Sequence, residues 1–304
     1  MSSKSDRWHR RPAKPDAAED RGPGVTPQTA AHGGQPSADT PVQEAEEWCM
    51  KAVALHREGR LEDAIPLFDK ALELNPREAR GWAGKGLCLD ALGRDEEALA
   101  CYSEALADAP RDAEVWWLKG DALERQGRHE EALRHLDKAL ELDPCLANAW
   151  IDEGLARKAL GRCDEAVRCY DQALKLDRRS PEAWYNRGNA LCALGRFEEG
   201  LRCFSESLVL NPHDASAWSN KGVCLAGLGR HEEAVACFEK ALQIDPLYPV
   251  AWRAKAVALE RLGRIAEAVE AYKQFITLAS ADDAASVEGV EKHVRELESA
   301  SAAS

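Results

Sequence analysis

Apolar and small side chains recur along the chain at every thirty-fourth position. The landmark of each period is a tryptophan, and seven of these are evenly spaced: Trp48, Trp82, Trp116, Trp150, Trp184, Trp218 and Trp252. A glycine lies eleven positions after each tryptophan, from Gly59 to Gly263, and an arginine follows each of these glycines. A period of this length is typical of a solenoid, in which copies of one supersecondary unit stack on each other.

The pattern inside each period predicts a pair of helices. With the tryptophan at position 4, positions 4, 8 and 11 form one helical face, as in Trp82, Gly86 and Leu89. Glycine at position 15 ends this helix A, because it adopts a left-handed cap without steric cost. Acidic residues then begin helix B, where the helix dipole favours them, and a proline near position 32 ends it. We expect small residues at positions 8, 20 and 27 to bring the two helices close. The tryptophan and an aromatic residue at position 24 would fill the space between them.

This register predicts seven repeats and fourteen helices. The repeats cover residues 45–78, 79–112, 113–146, 147–180, 181–214, 215–248 and 249–282. Residues 1–44 are rich in proline and glycine and carry no apolar period, which predicts a disordered N-terminal tail. Residues 283–304 predict a C-terminal capping helix and a short tail, because Val287, Val290, Val294 and Leu297 form a single apolar stripe.

The pattern resembles the tetratricopeptide repeat family over residues 45–282. The residues that carry the resemblance include Trp184, Gly188, Gly195 and Phe204 in repeat five, and Trp218, Gly222, Ala234, Phe238 and Pro246 in repeat six. The resemblance implies an all-α fold, a right-handed α-solenoid of helix–turn–helix repeats. Three residues depart from the pattern: Arg157 stands at an apolar position, Pro66 falls within helix B of repeat one, and bulky Phe275 stands where alanine is usual.

Composition narrows the possible partners. The 304 residues carry 40 Lys and Arg against 53 Asp and Glu, a net charge of −13, which argues against nucleic acid as the partner. No run of about 18 apolar residues is present, so no membrane partner is expected. The basic start of the chain is not followed by the apolar stretch of a signal peptide, so the expected location is cytoplasmic.

The ten cysteines follow the repeat rather than a metal motif. Cys101, Cys169, Cys203 and Cys237 share position 23, whereas Cys88 and Cys224 share position 10. Equivalent positions in successive repeats lie at about 10 Å or more, beyond the reach of a disulfide, and no Cys-x-x-Cys occurs. We therefore expect small, semi-buried thiols in a reducing compartment. No set of histidine, serine, cysteine or acidic residues indicates a metal, a cofactor or a catalytic site, so the chain is not expected to be an enzyme.

The resemblance implies that ligands bind in a concave groove lined by helix A. Trp117, Ile151 and Tyr185 occupy position 5 of three successive repeats, with Leu87 and Leu155 at position 9 of repeats two and four. None of them belongs to the stripe between helices A and B, so we expect an exposed aromatic and aliphatic row. Polar neighbours at the same groove positions could hold the backbone of an extended peptide; they are Asp121, Asp152, Asn186, Asn189 and Asn220. The alternative is that Trp117 packs between neighbouring repeats.

A more specific partner can be tested against the same positions. Some members of the family clamp the carboxylate of a chaperone tail with two asparagines and several cations. Asn189 and Asn220 match the asparagines, but Tyr185, Val250 and Ala254 stand where the cations should be. Binding of such a tail is therefore disfavoured, because little is left to pair with a carboxylate.

The leading hypothesis is a non-enzymatic scaffold that binds a peptide or protein segment in the groove. One alternative is a regulatory or targeting subunit of a separate enzyme or assembly, which would use the same groove. Another is an RNA-binding helical repeat, against which the negative charge speaks. The sequence identifies neither the partner nor the oligomeric state.

Overall fold

The computed structural model describes residues 39–279 and 284–302, and these form fifteen α-helices. The helices are α1 (Asp39–Arg57), α2 (Leu61–Leu74), α3 (Ala79–Ala91), α4 (Asp95–Asp108), α5 (Ala113–Arg125), α6 (His129–Leu142), α7 (Ala147–Ala159), α8 (Cys163–Leu176), α9 (Pro181–Ala193), α10 (Phe197–Leu210), α11 (Ala215–Gly227), α12 (His231–Ile244), α13 (Pro249–Arg261), α14 (Ile265–Leu278) and α15 (Ala284–Ala302). From α1 to α14, odd-numbered helices are helix A of a repeat and even-numbered helices are helix B. The predicted fold class, an all-α solenoid of helix–turn–helix repeats, is confirmed.

The described residues fall into two compact units. Those up to Arg111 form the first unit, which contains α1 to α4, and those from Asp112 form the second, which contains α5 to α15. Within each unit every helix packs against the next one along the chain. Helix A of a repeat also contacts helix A of the following repeat, as α5 contacts α7 and α9 contacts α11.

Helix α1 begins within the segment 1–44 that the sequence predicts to be a disordered tail. Helix α1 begins at Asp39, so the chain is already helical before the first apolar landmark of repeat one. The rest of that tail lies outside the described residues.

The turn between helices A and B is the same in every repeat. Glycine at position 15 has a positive φ of 72–78° in all seven copies, which is the left-handed conformation that favours glycine. In repeat two, Arg94 N donates to Leu89 O at 2.9 Å and Gly93 N donates to Asp90 O at 3.0 Å. This pair of bonds is a Schellman motif, which satisfies the last carbonyl groups of helix A.

The arginine after this glycine secures the start of helix B. Arg94 donates from Nε and Nη2 to the Glu97 carboxylate, both at 2.7 Å, and the hydrogen bonds lower the pKa of Glu97. Arg196, Arg230 and Arg264 make the same two-pronged contact with the acidic residue three positions later. The acid also lies in the first turn of helix B, where the helix dipole stabilises negative charge.

Arg157 stands at a position that is leucine in the other repeats, and two carboxylates compensate its charge. Its guanidinium contacts the carboxylates of Glu153 and Glu165, and Glu153 itself is buried, with 4% of its surface exposed. Because Glu165 is taken, Arg162 pairs instead with Glu130 of the preceding repeat, at 2.9 Å. Burial raises the pKa of Glu153, although the facing Arg157 guanidinium opposes that shift.

Two other departures are retained within the regular fold. Helix α2 begins at Leu61, at the same repeat position as the other B helices, so Pro66 lies in its interior. A hydrogen bond to the preceding turn is therefore missing there. Phe275 is buried in α14, and the guanidinium of Arg253 lies 5.8 Å from the centre of its ring.

In repeats two to six, the side chain at position 24 packs against a glycine at position 8, whereas repeats one and seven have alanine there. The side chain at position 24 of helix B is almost fully buried and lies over position 8 of helix A. A Cβ atom added at Gly154 would lie 2.5 Å from Tyr170 Cε1, and one added at Gly188 would lie 2.9 Å from Phe204 Cε1. Such distances are too short for real atoms, so the glycine is what lets helices A and B approach this closely.

In repeats two and four to seven, the landmark tryptophan is hydrogen-bonded to the loop before the repeat. Its indole N–H donates to the backbone carbonyl six residues earlier, at 3.0 Å from Trp218 to Pro212 and from Trp184 to Arg178. Trp82, Trp150 and Trp252 make the same bond to Pro76, Pro144 and Pro246. Arg178 replaces the usual proline without loss, because the acceptor is a backbone carbonyl.

Helix α15 packs on the last repeat. Val294 is buried against the cluster that contains Leu259, Val269 and Tyr272, with Val290 and Leu297 packed beside it. His293 Nε2 lies 2.9 Å from Glu260 Oε2, and Lys273 pairs with Glu298 at 3.0 Å. The apolar stripe read from the sequence is therefore the packed face of this helix.

The glycine at position 8 can be tested by adding one methyl group. We expect Gly154→Ala to lower the free energy of unfolding by about 1–3 kcal/mol, because Tyr170 and the two helices must move apart. Gly289→Ala is the matched control in helix α15, since no atom lies within 4 Å of an added Cβ there. It should stabilise by about 0.5–1 kcal/mol through helix propensity. Urea unfolding followed by circular dichroism measures both, and equal effects would contradict this account of the core.

Candidate functional site

The predicted groove residues come from A helices in both compact units. Leu87 lies on α3 in the first unit, where it is half-buried. The other nine lie on four A helices of the second unit: Trp117 and Asp121 on α5, Ile151, Asp152 and Leu155 on α7, Tyr185, Asn186 and Asn189 on α9, and Asn220 on α11. These nine residues form the part of the predicted groove that belongs to the second unit.

Trp117 and Ile151 are buried, so the expectation of an exposed row is wrong for them. Only 3% of Trp117 and 4% of Ile151 are accessible, and Trp117 Nε1 donates to Asp152 Oδ2 of the next A helix at 2.6 Å. The side chain at position 5 does not lie between helices A and B of its own repeat. It faces helix A of the following repeat. The alternative stated from the sequence, that Trp117 packs between repeats, describes the structure.

Two of the predicted polar contacts are also buried. Asp121 and Asn186 have 5% and 8% of their surface exposed, and Arg125 Nε lies 3.3 Å from Asp121 Oδ2. These side chains stabilise the A-helix layer and offer little surface to a ligand. Asp152 and Leu155 on α7 remain half-buried.

Three predicted residues meet in a hydrogen-bonded seam between α9 and α11, which we call the asparagine seam. Asn220 Nδ2 donates to Tyr185 Oη at 3.1 Å and to Asn189 Oδ1 at 2.9 Å. The Tyr185 ring stands edge-on to Phe204, with 5.8 Å between the ring centres. All three seam residues are half-buried, so each retains some accessible surface on the A-helix face.

Beyond the seam, the A-helix face becomes open and apolar. Val223 on α11 and Val250 and Val257 on α13 have 41%, 58% and 43% of their surface exposed. They border a cleft of about 410 Å³, which we call the valine cleft. Its remaining walls are Ala226, His231, Phe238, Arg253, Ala254, Ala258 and Arg261.

Sequence reasoning did not select the valine cleft. Val223 and Val257 occupy position 9, which had been considered a groove position, but the bulkier aromatic residues of the middle repeats were preferred. The available signal was that the last two repeats carry valine at position 9, and that Val250 adds a third at position 2 of repeat seven. None of these three side chains can form a hydrogen bond.

Charge at the cleft is contributed by α13. Arg253 and Arg261 line it, and both residues are exposed. Neighbouring Glu260 points toward α15: burial alone would raise its pKa, but hydrogen bonds from His293 and Tyr272 hold the pKa below its usual value. The cleft thus combines an apolar floor with two positive side chains at its edge.

The cysteines differ from the prediction at one place. Cys192 on α9 and Cys224 on α11 form a disulfide, with 6.7 Å between their Cα atoms. The comparison of equivalent positions overlooked this pair, because Cys192 occupies position 12 and Cys224 position 10 of the next repeat. The remaining cysteines from Cys49 onward are free thiols.

The described residues contain neither a grouped set of metal ligands nor a membrane-spanning helix. Within residues 39–279 and 284–302, no three His, Cys, Asp or Glu side chains are grouped as metal ligands. Over the same residues, no helix has both the length and the apolar character needed to cross a bilayer.

Comparison with solved structures supports the fold. The chain is 26% identical to YrrB, a tetratricopeptide repeat protein described as having an unusual peptide-binding site, with a TM-score of 0.54 over 62% of this chain and 97% of YrrB. PilF of Pseudomonas aeruginosa is 19% identical, with a TM-score of 0.65 over 72% of this chain and 99% of PilF. A tetratricopeptide repeat protein of Parabacteroides merdae is 18% identical, with a TM-score of 0.63 over 83% and 99%. The last two show the fold alone.

Sequence profiles identify the repeats directly. Profiles described as tetratricopeptide repeat match residues 49–110, 96–144, 181–214, 215–248 and 237–270, and a profile described as TPR repeat matches residues 154–195. No curated relative matches the chain. The matches cover most of the seven repeats, and the resemblance drawn from the sequence is confirmed. The chain belongs to the tetratricopeptide repeat family.

Proposed function

We propose that this protein is a non-enzymatic interaction scaffold that binds an extended peptide segment on the A-helix face of repeats five to seven. The observation that carries the proposal is the valine cleft, where three large apolar side chains remain exposed around a volume of about 410 Å³. Exposed apolar surface that is grouped in a concavity favours a partner able to cover it.

The cleft fits apolar side chains of a peptide. Covering the exposed parts of Val223, Val250 and Val257 would remove apolar surface from water, at about 25 cal/mol for each Å². The volume is at the small end of ordinary ligand pockets, which suits one or two side chains rather than a folded domain.

The edge of the cleft favours an acidic residue in the same peptide. Arg253 and Arg261 lie beside the valines, and an arginine guanidinium forms strong paired hydrogen bonds with a carboxylate. The chain as a whole carries a net charge of −13, so this local positive edge would also direct an acidic segment to the cleft.

The asparagine seam could hold the backbone of the same segment. Asn220 Nδ2 is already used within the seam, but Asn220 Oδ1 and Asn189 Nδ2 make no hydrogen bond among the described residues. Together they offer one acceptor and one donor, the combination that a peptide group requires. The description of YrrB as peptide-binding is consistent with this use of the fold.

The predicted groove residues therefore divide into two roles. Tyr185, Asn189 and Asn220 are proposed as ligand contacts, while Trp117 and Ile151 are proposed to support the layer from within. A regulatory or targeting subunit would use the same cleft and differs only in its partner. The net charge of −13 disfavours RNA as the partner. A cytoplasmic location remains a prediction.

A charge placed in the cleft should weaken binding. We expect a displayed random peptide library, panned on the full chain, to enrich peptides with an acidic residue beside aliphatic or aromatic residues. Val257→Asp should weaken the enriched peptides by about tenfold or more, because it places a carboxylate against their apolar side chains and competes with their acidic residue for Arg253 and Arg261. Fluorescence anisotropy with synthetic peptides measures the affinities.

Val209→Asp is the matched control for this experiment. Val209 is also exposed, at 76%, but lies on helix α10 and does not line the cleft. Its replacement should leave the affinity unchanged. The absence of any enriched peptide, or equal binding by the Val257→Asp chain, would contradict the proposed function.

Trp117→Ala should act on stability rather than on ligand affinity. Removing a buried indole leaves a cavity, and we expect a loss of about 3–5 kcal/mol in the free energy of unfolding. Trp117→Phe keeps a ring but loses the donor to Asp152 Oδ2, and should cost about 1–3 kcal/mol. Chemical unfolding of both variants provides the values. A Trp117→Ala chain as stable as the wild type would show that the side chain is not part of the packed layer.

A further inference from the structure

Repeat five breaks the pattern at position 20, where helix B faces its own helix A. The other six repeats have alanine there: Ala64, Ala98, Ala132, Ala166, Ala234 and Ala268, and each is fully buried. Repeat five has Gly200 instead. Glycine inside a helix costs about 0.5–1 kcal/mol relative to alanine, so this exception requires a local reason.

The reason is the pair of sulfur atoms beside Gly200. A Cβ atom added at Gly200 would lie 2.7 Å from Cys192 Sγ and 3.1 Å from Cys224 Sγ. The space that alanine fills in the other repeats is here taken by the two sulfurs. The absence of a methyl group at position 20 is therefore explained by the two cysteines on neighbouring A helices, which occupy its space.

Repeat two provides an internal comparison. Cys88 occupies position 10, as Cys224 does in repeat six, but position 12 of the repeat before it is His56. Cys88 is a buried free thiol, and Ala98 takes position 20. A cysteine at position 10 alone therefore does not require glycine at position 20.

We propose that Cys192 and Cys224 are a site of thiol–disulfide exchange that reversibly joins α9 to α11, and that Cys192 is the sulfur through which the exchange proceeds. The site stands independently of any ligand of the valine cleft. Along the A helices, Cys192 lies three residues after Asn189, and Cys224 lies four residues after Asn220. The cross-link therefore extends the asparagine seam by about one helical turn.

Exposure selects the sulfur that reacts. Cys192 is half-buried, whereas Cys224 is fully buried. In the oxidising direction, the Cys192 thiolate attacks oxidised glutathione, forms a mixed disulfide and releases one glutathione thiolate. The Cys224 thiolate then attacks Cys192 Sγ, which forms the internal disulfide and releases the second glutathione.

Reduction reverses these steps and favours a dithiol as reductant. A thiolate that attacks Cys192 Sγ forms a mixed disulfide and releases the Cys224 thiolate. Cys224 is fully buried beside Cys192, so it stays next to the mixed disulfide. A monothiol adduct on Cys192 is therefore readily displaced by Cys224, whereas the second thiol of a dithiol removes the adduct and leaves both cysteines reduced.

The cross-link itself is tested by peptide mapping. The full chain is equilibrated with oxidised glutathione or with dithiothreitol, alkylated in denaturant and digested for mass spectrometry. We expect a linked peptide pair containing Cys192 and Cys224 after oxidation and none after dithiothreitol. Cys88→Ala is the control and should retain the pair. Complete alkylation of Cys192 and Cys224 in the oxidised sample would overturn the proposal.

The direction of the exchange is tested by two single variants. With oxidised glutathione, Cys224→Ala should accumulate a glutathione adduct on Cys192, because the resolving thiol is absent. Cys192→Ala should leave Cys224 unmodified, because Cys224 is inaccessible. Both replacements introduce a residue found at the same position in another repeat, Ala258 and Ala226 respectively, so both chains are expected to fold. Equal adducts on the two cysteines would contradict the assignment of Cys192.

The role of Gly200 is tested by substituting alanine with and without the two cysteines present. The resulting change in thermal midpoint should differ in sign between the two backgrounds. In a Cys192→Ala, Cys224→Ala background, Gly200→Ala should raise the thermal midpoint by about 1–4 °C, because repeat five then matches the others. In the oxidised wild type, the same substitution should lower the midpoint or prevent the disulfide, because its Cβ meets the sulfurs. A raised midpoint in both backgrounds, with the disulfide intact, would show that Gly200 and the cysteines are unrelated.

Discussion

The fold depends on one contact, the packing of the side chain at position 24 against position 8 of helix A, where five of the seven repeats have glycine. Glycine in a helix interior is unfavourable by about 1 kcal/mol relative to alanine, so its recurrence needs compensation. That compensation is the buried ring of Tyr102, Tyr170, Phe204 or Phe238, which fills the space left by the glycine opposite. The glycine turn falls at the same place in all seven repeats, and the arginine fork and the tryptophan contact recur in most of them.

A constant framework leaves few positions at which the repeats can differ. Along the second compact unit, the A-helix face changes from packed to open. Trp117 and Asp152 are used in joining two A helices, Asn220 joins two more while keeping an acceptor available, and the valines of the last repeats are left exposed. The same helix position thus serves stability in one repeat and recognition in another. The distinction lies in whether the neighbouring A helix covers it.

The sequence predicted what depends on contacts within one repeat. The period, the glycine caps and the facing of positions 8 and 24 all follow from the pattern of a single repeat and its recurrence. The burial of Trp117 was only the alternative interpretation, because it depends on an A helix one repeat further along. The disulfide was missed for a related reason: only equivalent positions were compared, and Cys192 and Cys224 are not equivalent. Gly200, the exception at position 20, was the signal that could have revealed it.

The disulfide also changes how freely the array can be rearranged. In a repeat protein each copy contacts only its neighbours, so copies that make the same contacts are interchangeable in principle. The cross-link takes Cys192 and its relief at Gly200 from repeat five, and Cys224 from repeat six. A crossover between these two repeats would separate the sulfurs and leave an unfilled space beside helix A. We therefore expect repeats five and six to be inherited together as one module, residues 181–248.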